Sequence, residues 1–277
     1  MFRFALRRSA WAIPTLLLVT FLVYIALRMG TDPLASYMRS NPRATRSKIA
    51  QYKELNGLGS NYVTGYFSWL QNFVTFNWPN SIKGSREVWP ELKDAIANSA
   101  RLGIAATTVG VSIGLTIGIF AALRPGGKRD VAVNTAAFVG ISIPPYISAI
   151  LLQLLFAVYW SKWFGNTLFP TSGVYPPGQD GFDLVLMLKH MALPTFVVAI
   201  QVIAVYSRYM RSSLLDVLNS DYMRTARSKG LSEFRILMRH GVRNALIPVI
   251  TIAALDIGAI VGGLIITENI FDYPGTG

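Results

Sequence analysis

Arg224, Arg227 and Lys229 precede Gly230, and Arg235, Arg239 and Arg243 follow it, within the stretch Asp221 to Pro248, DYMRTARSKGLSEFRILMRHGVRNALIP. The chemistry open to such a set is noncovalent: it can hold positive charge in a fixed geometry. Asp221 at the start of the first piece and Arg227 and Lys229 at its end complement a helix dipole. Gly230 suits the left-handed position just past a helix end, where a side chain is penalised. Ser232 is placed to cap a second piece by accepting a bond from a free backbone N–H. The stretch thus reads as two short helices hinged at Gly230. In the second, Phe234, Leu237, Met238 and Gly241 fall at helical spacing, and Arg235, Arg239 and Arg243 share another face. Two readings stand. The stretch is either a docking element that offers shape and charge to a partner protein, or a basic juxtamembrane loop that marks the cytoplasmic side and touches anionic lipid.

Covalent and metal chemistry are poorly supplied. The chain has no cysteine, and its 2 histidines, His190 and His240, are assigned below to opposite sides of a membrane. Neither a shared metal site nor a nucleophile–base pair is apparent. The run Gly126-Gly127-Lys128-Arg129 is not a phosphate loop, because it lacks the earlier glycine and the Ser or Thr of that motif. The chain is therefore expected not to be an enzyme and to hold no cofactor of its own. Asp256 stands out because it falls within an apolar run, roughly 16 Å along a helix from Ala245. A carboxylate at that depth costs at least about 2.5–3.5 kcal/mol, so it should face protein or water. Ala254, Gly258 and Gly262 form a small-residue stripe on the same helix, pointing away from Asp256. The carboxylate either lines a pathway or makes a structural hydrogen bond to a neighbouring helix. Glu268 is expected at the interface near the outer end of that helix, or as part of an outer gate, the second being what the family resemblance given below implies. Gln153 and Gln201 read as packing hydrogen bonds.

These residues need membrane spans to position them. The chain has 277 residues, 52% hydrophobic and 14% charged, against about 25% charged in soluble domains. A net charge of +12 raises nucleic acid as a partner. That class is excluded because the basic residues sit in loops between apolar spans, where the positive-inside bias accounts for them. Five spans are expected, at about residues 10–27, 99–123, 131–160, 193–209 and 246–270. The amino end is retained and cytoplasmic, and the last span ends outside. This places Arg124, Lys128 and Arg129, and the segment 208–245, on the inner side. Between the first two spans lies an extracytoplasmic insert, 30–98, in which FSWLQNFVTF reads as a short surface helix. Gly110, Gly114 and Gly118 recur every fourth residue, a stripe that lets another helix approach closely, within the subunit or across to another. Pro144 and Pro145 remove two backbone donors and should kink or break the third span. Such a break is tolerated only where protein or a water-filled cavity satisfies the freed groups, which argues for a pathway-facing position.

The 221–248 segment resembles the cytoplasmic coupling loop of binding-protein-dependent ABC importer permeases, in the dipeptide/oligopeptide branch. The general pattern is Glu-Ala-Ala, three residues, Gly, nine residues, Ile-x-Leu-Pro. This chain matches it at Ala226 and Gly230 and departs at Arg224, Thr225, His240, Val242 and Arg243. The run RTARSKGL with RHGVRNALIP is instead similar to the B-type permease of the peptide branch. LRRSAWAIPTLLLVTFLVYIALR, ISIPPYISAILLQLLFA and TENIFDYPGTG resemble the same subunit, so the likeness covers nearly all the chain. It implies an all-α helical bundle of the type I importer permease fold, with a sixth helix that would follow the PGTG segment and is absent from this sequence. It implies ATPase coupling through Asp221, Tyr222, Arg224, Thr225, Ala226, Arg227, Lys229, Gly230, Leu231 and Ser232. The partners it implies are a second permease subunit, two ABC ATPase subunits carrying ATP and magnesium, an extracytoplasmic substrate-binding protein and the lipid bilayer. The cargo it implies is di- or oligopeptide, with haem, nickel and glutathione as alternatives in the same branch. A secondary transporter is the rival from another class. It would usually show an internal repeat, and none is apparent.

Overall fold

The computed structural model describes the backbone of residues 2–30, 32–78, 81, 87–176, 178 and 181–277, and within these the side chains of all but 2, 4, 5 and 257–263. Among the described residues it is helical throughout, without strands. The chain divides into two units, Met1–Lys93 and Asp94–Gly277.

The first unit holds α1 (Phe2–Gly30), α2 (Pro33–Ser40), α3 (Arg46–Leu55) and α4 (Tyr62–Val74). Two of the short helices, α2 and α4, start at a residue whose side chain caps them. Asp32 accepts from the N–H groups of Leu34 and Ala35, both at 3.0 Å, with Pro33 at the first helical position. Asn61 accepts from the Thr64 N–H at 2.9 Å. The insert therefore contains three helices, where one short surface helix was expected. The Asp-Pro step before α2 is the signal that announces the first of them. The guanidinium of Arg28, in the last turn of α1, donates to the carbonyls of Gly57, Leu58 and Ser60 at 3.2–3.4 Å. It thereby fixes the loop between α3 and α4.

The second unit takes up most of α5 (Val88–Ala122), then α6 (Lys128–Ser142) and α7 (Pro145–Gln153). A π-helical stretch, Leu154–Tyr159, leads from α7 into α8 (Trp160–Phe164). There follow α9 (Leu184–Leu218), α10 (Asp221–Ser228) and α11 (Glu233–Ile236). A second π stretch, Leu237–Val242, joins α11 to α12 (Arg243–Gly263), and α13 (Ile265–Ile270) closes the series. The core of this unit is α9. Gly110, Gly114 and Gly118 of α5 are buried against it, and a Cβ at Gly110 would come within 2.5 Å of the Val202 side chain. The stripe thus serves a contact inside the subunit.

Among the described residues, four helices are long and apolar enough to cross a membrane: Leu6–Gly30, Val88–Ala122, Pro145–Phe164 and Leu184–Leu218. The expected third span, 131–160, is broken at Pro144–Pro145, where the two prolines were expected to kink or break it. α6 ends at Ser142, Pro144 turns the chain to ψ 142°, and α7 starts at Pro145. The expected fourth span starts earlier than residue 193, at Leu184, because Asp183 caps it by accepting from Val185 and Leu186. His190, expected in an external loop, accordingly lies within α9. It is buried, with Nδ1 2.8 Å from the Leu186 carbonyl oxygen. The expected fifth span is interrupted at Leu264, between α12 and α13.

Candidate coupling and pathway site

α10 has a buried face and an exposed face, and the two have different chemistry. Met223 and Ala226, three residues apart, are buried and meet Ile236 of α11 in a small apolar cluster with Val217, Leu218 and Leu231. Asp221, Tyr222, Arg224, Thr225, Arg227 and Lys229 face outward. The helix is thus held from below and offers a polar, basic surface above. Gly230 adopts φ 72°, the left-handed conformation, and its N–H donates to the Arg227 carbonyl at 2.9 Å. A Cβ there would meet nothing within 4 Å, so the requirement for glycine is conformational and not steric. Arg227 reaches across the turn to Glu233 at 3.2 Å, and Arg224 lies 3.6 Å from Asp221. Both pairs are exposed, so each contributes at most about 1 kcal/mol.

Two features of the second piece differ from expectation. Ser232 sits at the N-cap position of α11, but its side chain makes no capping bond. Nor is the second piece a separate short helix: it continues through the π stretch into α12. The buried positions are Ile236, Gly241 and Val242, with Leu237 half-buried, while Phe234, which precedes the π stretch, and Met238 within it are exposed. Arg235, Arg239 and Arg243 are exposed. The turn at Gly230 is therefore bonded directly to the start of a long helix.

The Pro144–Pro145 break is satisfied from α9. Lacking an N–H, Pro144 leaves the Gly140 carbonyl without its helical donor. Gln201 Nε2 supplies one at 2.8 Å and donates also to the Ile143 carbonyl at 3.0 Å. Gln153 plays a similar part further on, donating to the carbonyls of Thr171 and Ile270 at 3.3 and 3.2 Å. At the opposite end of α6, Asp130 is buried and forms a two-pronged ion pair with Arg211 of α9. It also accepts from the Gly126 N–H at 2.9 Å and from Asn134 at 2.7 Å. The Arg211 guanidinium holds the Asp130 carboxyl down at about 2. The sequence reading passed over Asp130, because a lone Asp after Lys128 and Arg129 looks like a solvated loop charge.

Asp256 of α12 accepts a hydrogen bond from the Tyr206 hydroxyl of α9 at 2.7 Å, and Tyr206 is itself buried. Gly258 and Gly262 of the proposed stripe lie outside the described residues. Glu268 was expected at the interface and is instead buried, 2% exposed. Ser99 Oγ donates to it at 2.6 Å and the Gly277 N–H at 2.8 Å. Asn98 donates to the Pro274 carbonyl at 2.9 Å, so the segment after α13 closes over the start of the apolar part of α5. Hydroxyl and backbone donors replace water around the carboxylate, which makes its burial tolerable. Burial in the same place pushes the Tyr273 hydroxyl up to about 12. Among the described residues no group of acids and histidines could hold a metal ion.

Among the described residues the chain is thus all-helical, with an exposed basic helix, α10, between α9 and α12. The model for the binding-protein-dependent transport system inner membrane component matches residues 114–277, and the chain belongs to that family. The chain is 35% identical over 276 residues to the oligopeptide transport system permease protein AppB of Bacillus subtilis, which covers 99% of this chain and 84% of that protein. It is 34% identical to the dipeptide transport system permease protein DppB of the same organism, over 100% of this chain and 84% of that protein. It is also 34% identical to the oligopeptide transport system permease protein OppB of Mycobacterium tuberculosis, over 100% of this chain and 86% of that protein.

Proposed function

We propose that this chain is the permease subunit of an ATP-driven peptide importer and that α10 with Gly230 is the point where its ATPase partner takes hold. The observation that carries this reading is the two-faced helix α10. Its underside is fixed by Met223, Ala226 and Ile236, and its upper face presents Tyr222, Arg224, Arg227 and Lys229 to a partner. A merely solvated loop has no need of that anchorage. In this reading the amino terminus, the 124–129 loop and α10 lie in the cytoplasm. A second permease subunit completes the pathway, two ATPase subunits bind ATP and magnesium, and an extracytoplasmic binding protein delivers the peptide. Leu231 and Ser232 carry the turn from α10 into α11. The break at Pro144 and Pro145 and the carboxylate of Asp256 face the pathway.

The work of the chain is mechanical. ATP draws the ATPases together and α10 moves with the groove that holds it. A helix is stiff along its axis because its backbone bonds run that way, so α10 can push on what it touches. Hydrolysis and release reset the arrangement.

These 277 residues contain no cysteine, so a single Arg224→Cys variant places one thiol on α10 as a crosslinking probe. In membranes containing the complete complex, it should capture an ATPase subunit. Peptide-loaded binding protein should stimulate ATP hydrolysis by the reconstituted complex. Stimulation by nickel, haem or glutathione in place of peptide would change the cargo and leave the coupling intact. A crosslink that never captures an ATPase would end the reading.

A further inference from the structure

We infer that α6 is a strut clamped to α9 at both ends, and that the clamps Asp130–Arg211 and Gln201–Gly140/Ile143 carry motion from α10 to the Pro144–Pro145 break. The inference rests on the coupling role proposed for α10.

The geometry is that of two antiparallel helices with matched spacing. Ten residues separate Asp130 from Gly140 on α6, and ten separate Gln201 from Arg211 on α9. Each interval is about 15 Å of helix axis, so the two clamps join the same length of both helices. The contact between them is made by small residues. A Cβ at Gly140 would lie 3.5 Å from Ala204 Cβ and 3.5 Å from Ile200 Cγ2, and Ala137 is buried nearby. Open grooves flank this seam. One, of about 500 Å³, is lined by Asn134, Phe138, Arg208 and Tyr209, and the other, of about 340 Å³, by Val133, Ala136, Ile200 and Ile203. Between the clamps the seam holds small side chains and one side-chain contact at its edge, the Arg208 guanidinium 4.5 Å from the centre of the Phe138 ring, so steric interlocking there is limited. The polar bonds at the two ends restrain α6 from sliding on α9.

The same two clamps lie between the driving element and the break. The end of α9, at Val217 and Leu218, packs against Met223 and Ala226 of α10. Arg211 stands less than two turns before Val217 and grips Asp130, the third residue of α6. The other end of α6 is the break itself, where Gln201 holds the carbonyl that Pro144 orphans. A displacement of α10 therefore reaches Pro144 through α9 and α6 moving as one body. Without the clamps, α9 would move and the break would lag behind. Asp130, Arg211 and Gln201 are positioning residues, which act through the break and not on the cargo.

The test uses the complete complex in proteoliposomes and reads peptide transported per ATP hydrolysed. Gln201→Met keeps length and loses both donors, and Asp130→Asn keeps shape and loses charge. Each should lower the ratio by about tenfold, in the range of ordinary coupling energies. The exchange Asp130→Arg with Arg211→Asp should recover part of the ratio, which a simple loss of packing would not allow. A spin label at Tyr146, an exposed residue beside the break, should shift on ATP binding in the parent and stay still in Gln201→Met. The Arg224→Cys crosslink to the ATPase should form in every variant. An unchanged ratio with that crosslink intact overturns the strut and spares the coupling role. Loss of the crosslink in the parent overturns the coupling role itself.

Discussion

The hydroxyl of Tyr206 donates to Asp256 Oδ2 at 2.7 Å, tying α9 to α12 across a distance of 50 residues in sequence. No further hydrogen bond to the carboxylate is found among the described residues, and Asp256 is only half-buried while Tyr206 is 2% exposed. One oxygen is thus bound to the protein and the other is open to whatever lies beside α12. Tyr206→Phe should leave a carboxylate without its donor and destabilise the subunit by about 1–3 kcal/mol. Asp256→Asn keeps an acceptor for Tyr206 and should cost less. If the open oxygen faces the pathway, Asn at 256 should lower uptake of cationic peptides about fivefold relative to neutral ones, roughly 1 kcal/mol of lost attraction. Competition assays with matched peptides give that ratio. Equal uptake of both classes would leave Asp256 with its structural bond alone.

Gly230 makes a prediction about kind of substitution. Its φ of 72° is what L-residues resist, yet there is open space where a side chain would go. Asn tolerates that conformation and should retain most coupling. Val meets the full backbone penalty, about 1–2 kcal/mol. Pro is worst, because its φ is fixed near −65° and it deletes the N–H that donates to Arg227. The order of transport-to-hydrolysis ratio should be Gly, Asn, Val, Pro. A flat series would show that the turn is not required for coupling. Charge reversal at Arg224 and Arg227 tests the exposed face separately, since neither residue is needed to hold α10 in place.

The α5 stripe predicts a graded loss of stability. At Gly118 a Cβ would come within 2.6 Å of the Ser207 carbonyl oxygen and 2.8 Å of Met210 Cβ, whereas at Gly114 the nearest atom is 3.0 Å away. Backbone cannot step aside as a flexible side chain can. Gly118→Ala should therefore destabilise more than Gly114→Ala, by about 1–3 kcal/mol for such overpacking. Thermal unfolding of the purified subunit in detergent compares them. Equal midpoints would mean that α5 and α9 are not packed as closely as their glycines permit.

How far these features were visible in the sequence depended on whether their signal is local. The turn at Gly230, the break at Pro144 and the α5 stripe rest on single residue types with backbone consequences, and each could be placed before any coordinates. Helix starts at Asp32, Asn61 and Asp183 were equally local but lay in polar stretches that read as loop. What could not be read was pairing between distant segments. Asp130 and Arg211 are 81 residues apart and Ser99 and Glu268 are 169 apart, and nothing local in the sequence marks either member of a pair for the other. The π stretch after Ile236 was also hidden, because no residue type marks it and it shifts every position that follows. Of the expected apolar face of the second piece, Leu237 and Gly241 turn inward, while Phe234 and Met238 are exposed.

The Asp130–Arg211 pair makes a prediction about acid. Asp130 is held at about 2 against an ordinary value of 3.8, chiefly by its bond to Arg211. A carboxyl whose value is lowered by folding stabilises the folded state above its unfolded value and loses that contribution as pH falls through its folded value. The contribution should therefore be complete near neutral pH, begin to fade below about 3.8 and be gone at about 2. Removing Arg211, itself partly exposed, leaves the buried Asp130 carboxylate without its compensating charge. At neutral pH, Arg211→Gln should therefore unfold at markedly lower temperature than the parent. Lowering the pH from about 5 towards 2 should bring the two midpoints together as the Asp130 carboxyl takes up its proton. A gap that stays constant through this range would show that Arg211 stabilises the fold by packing and not by its charge on Asp130.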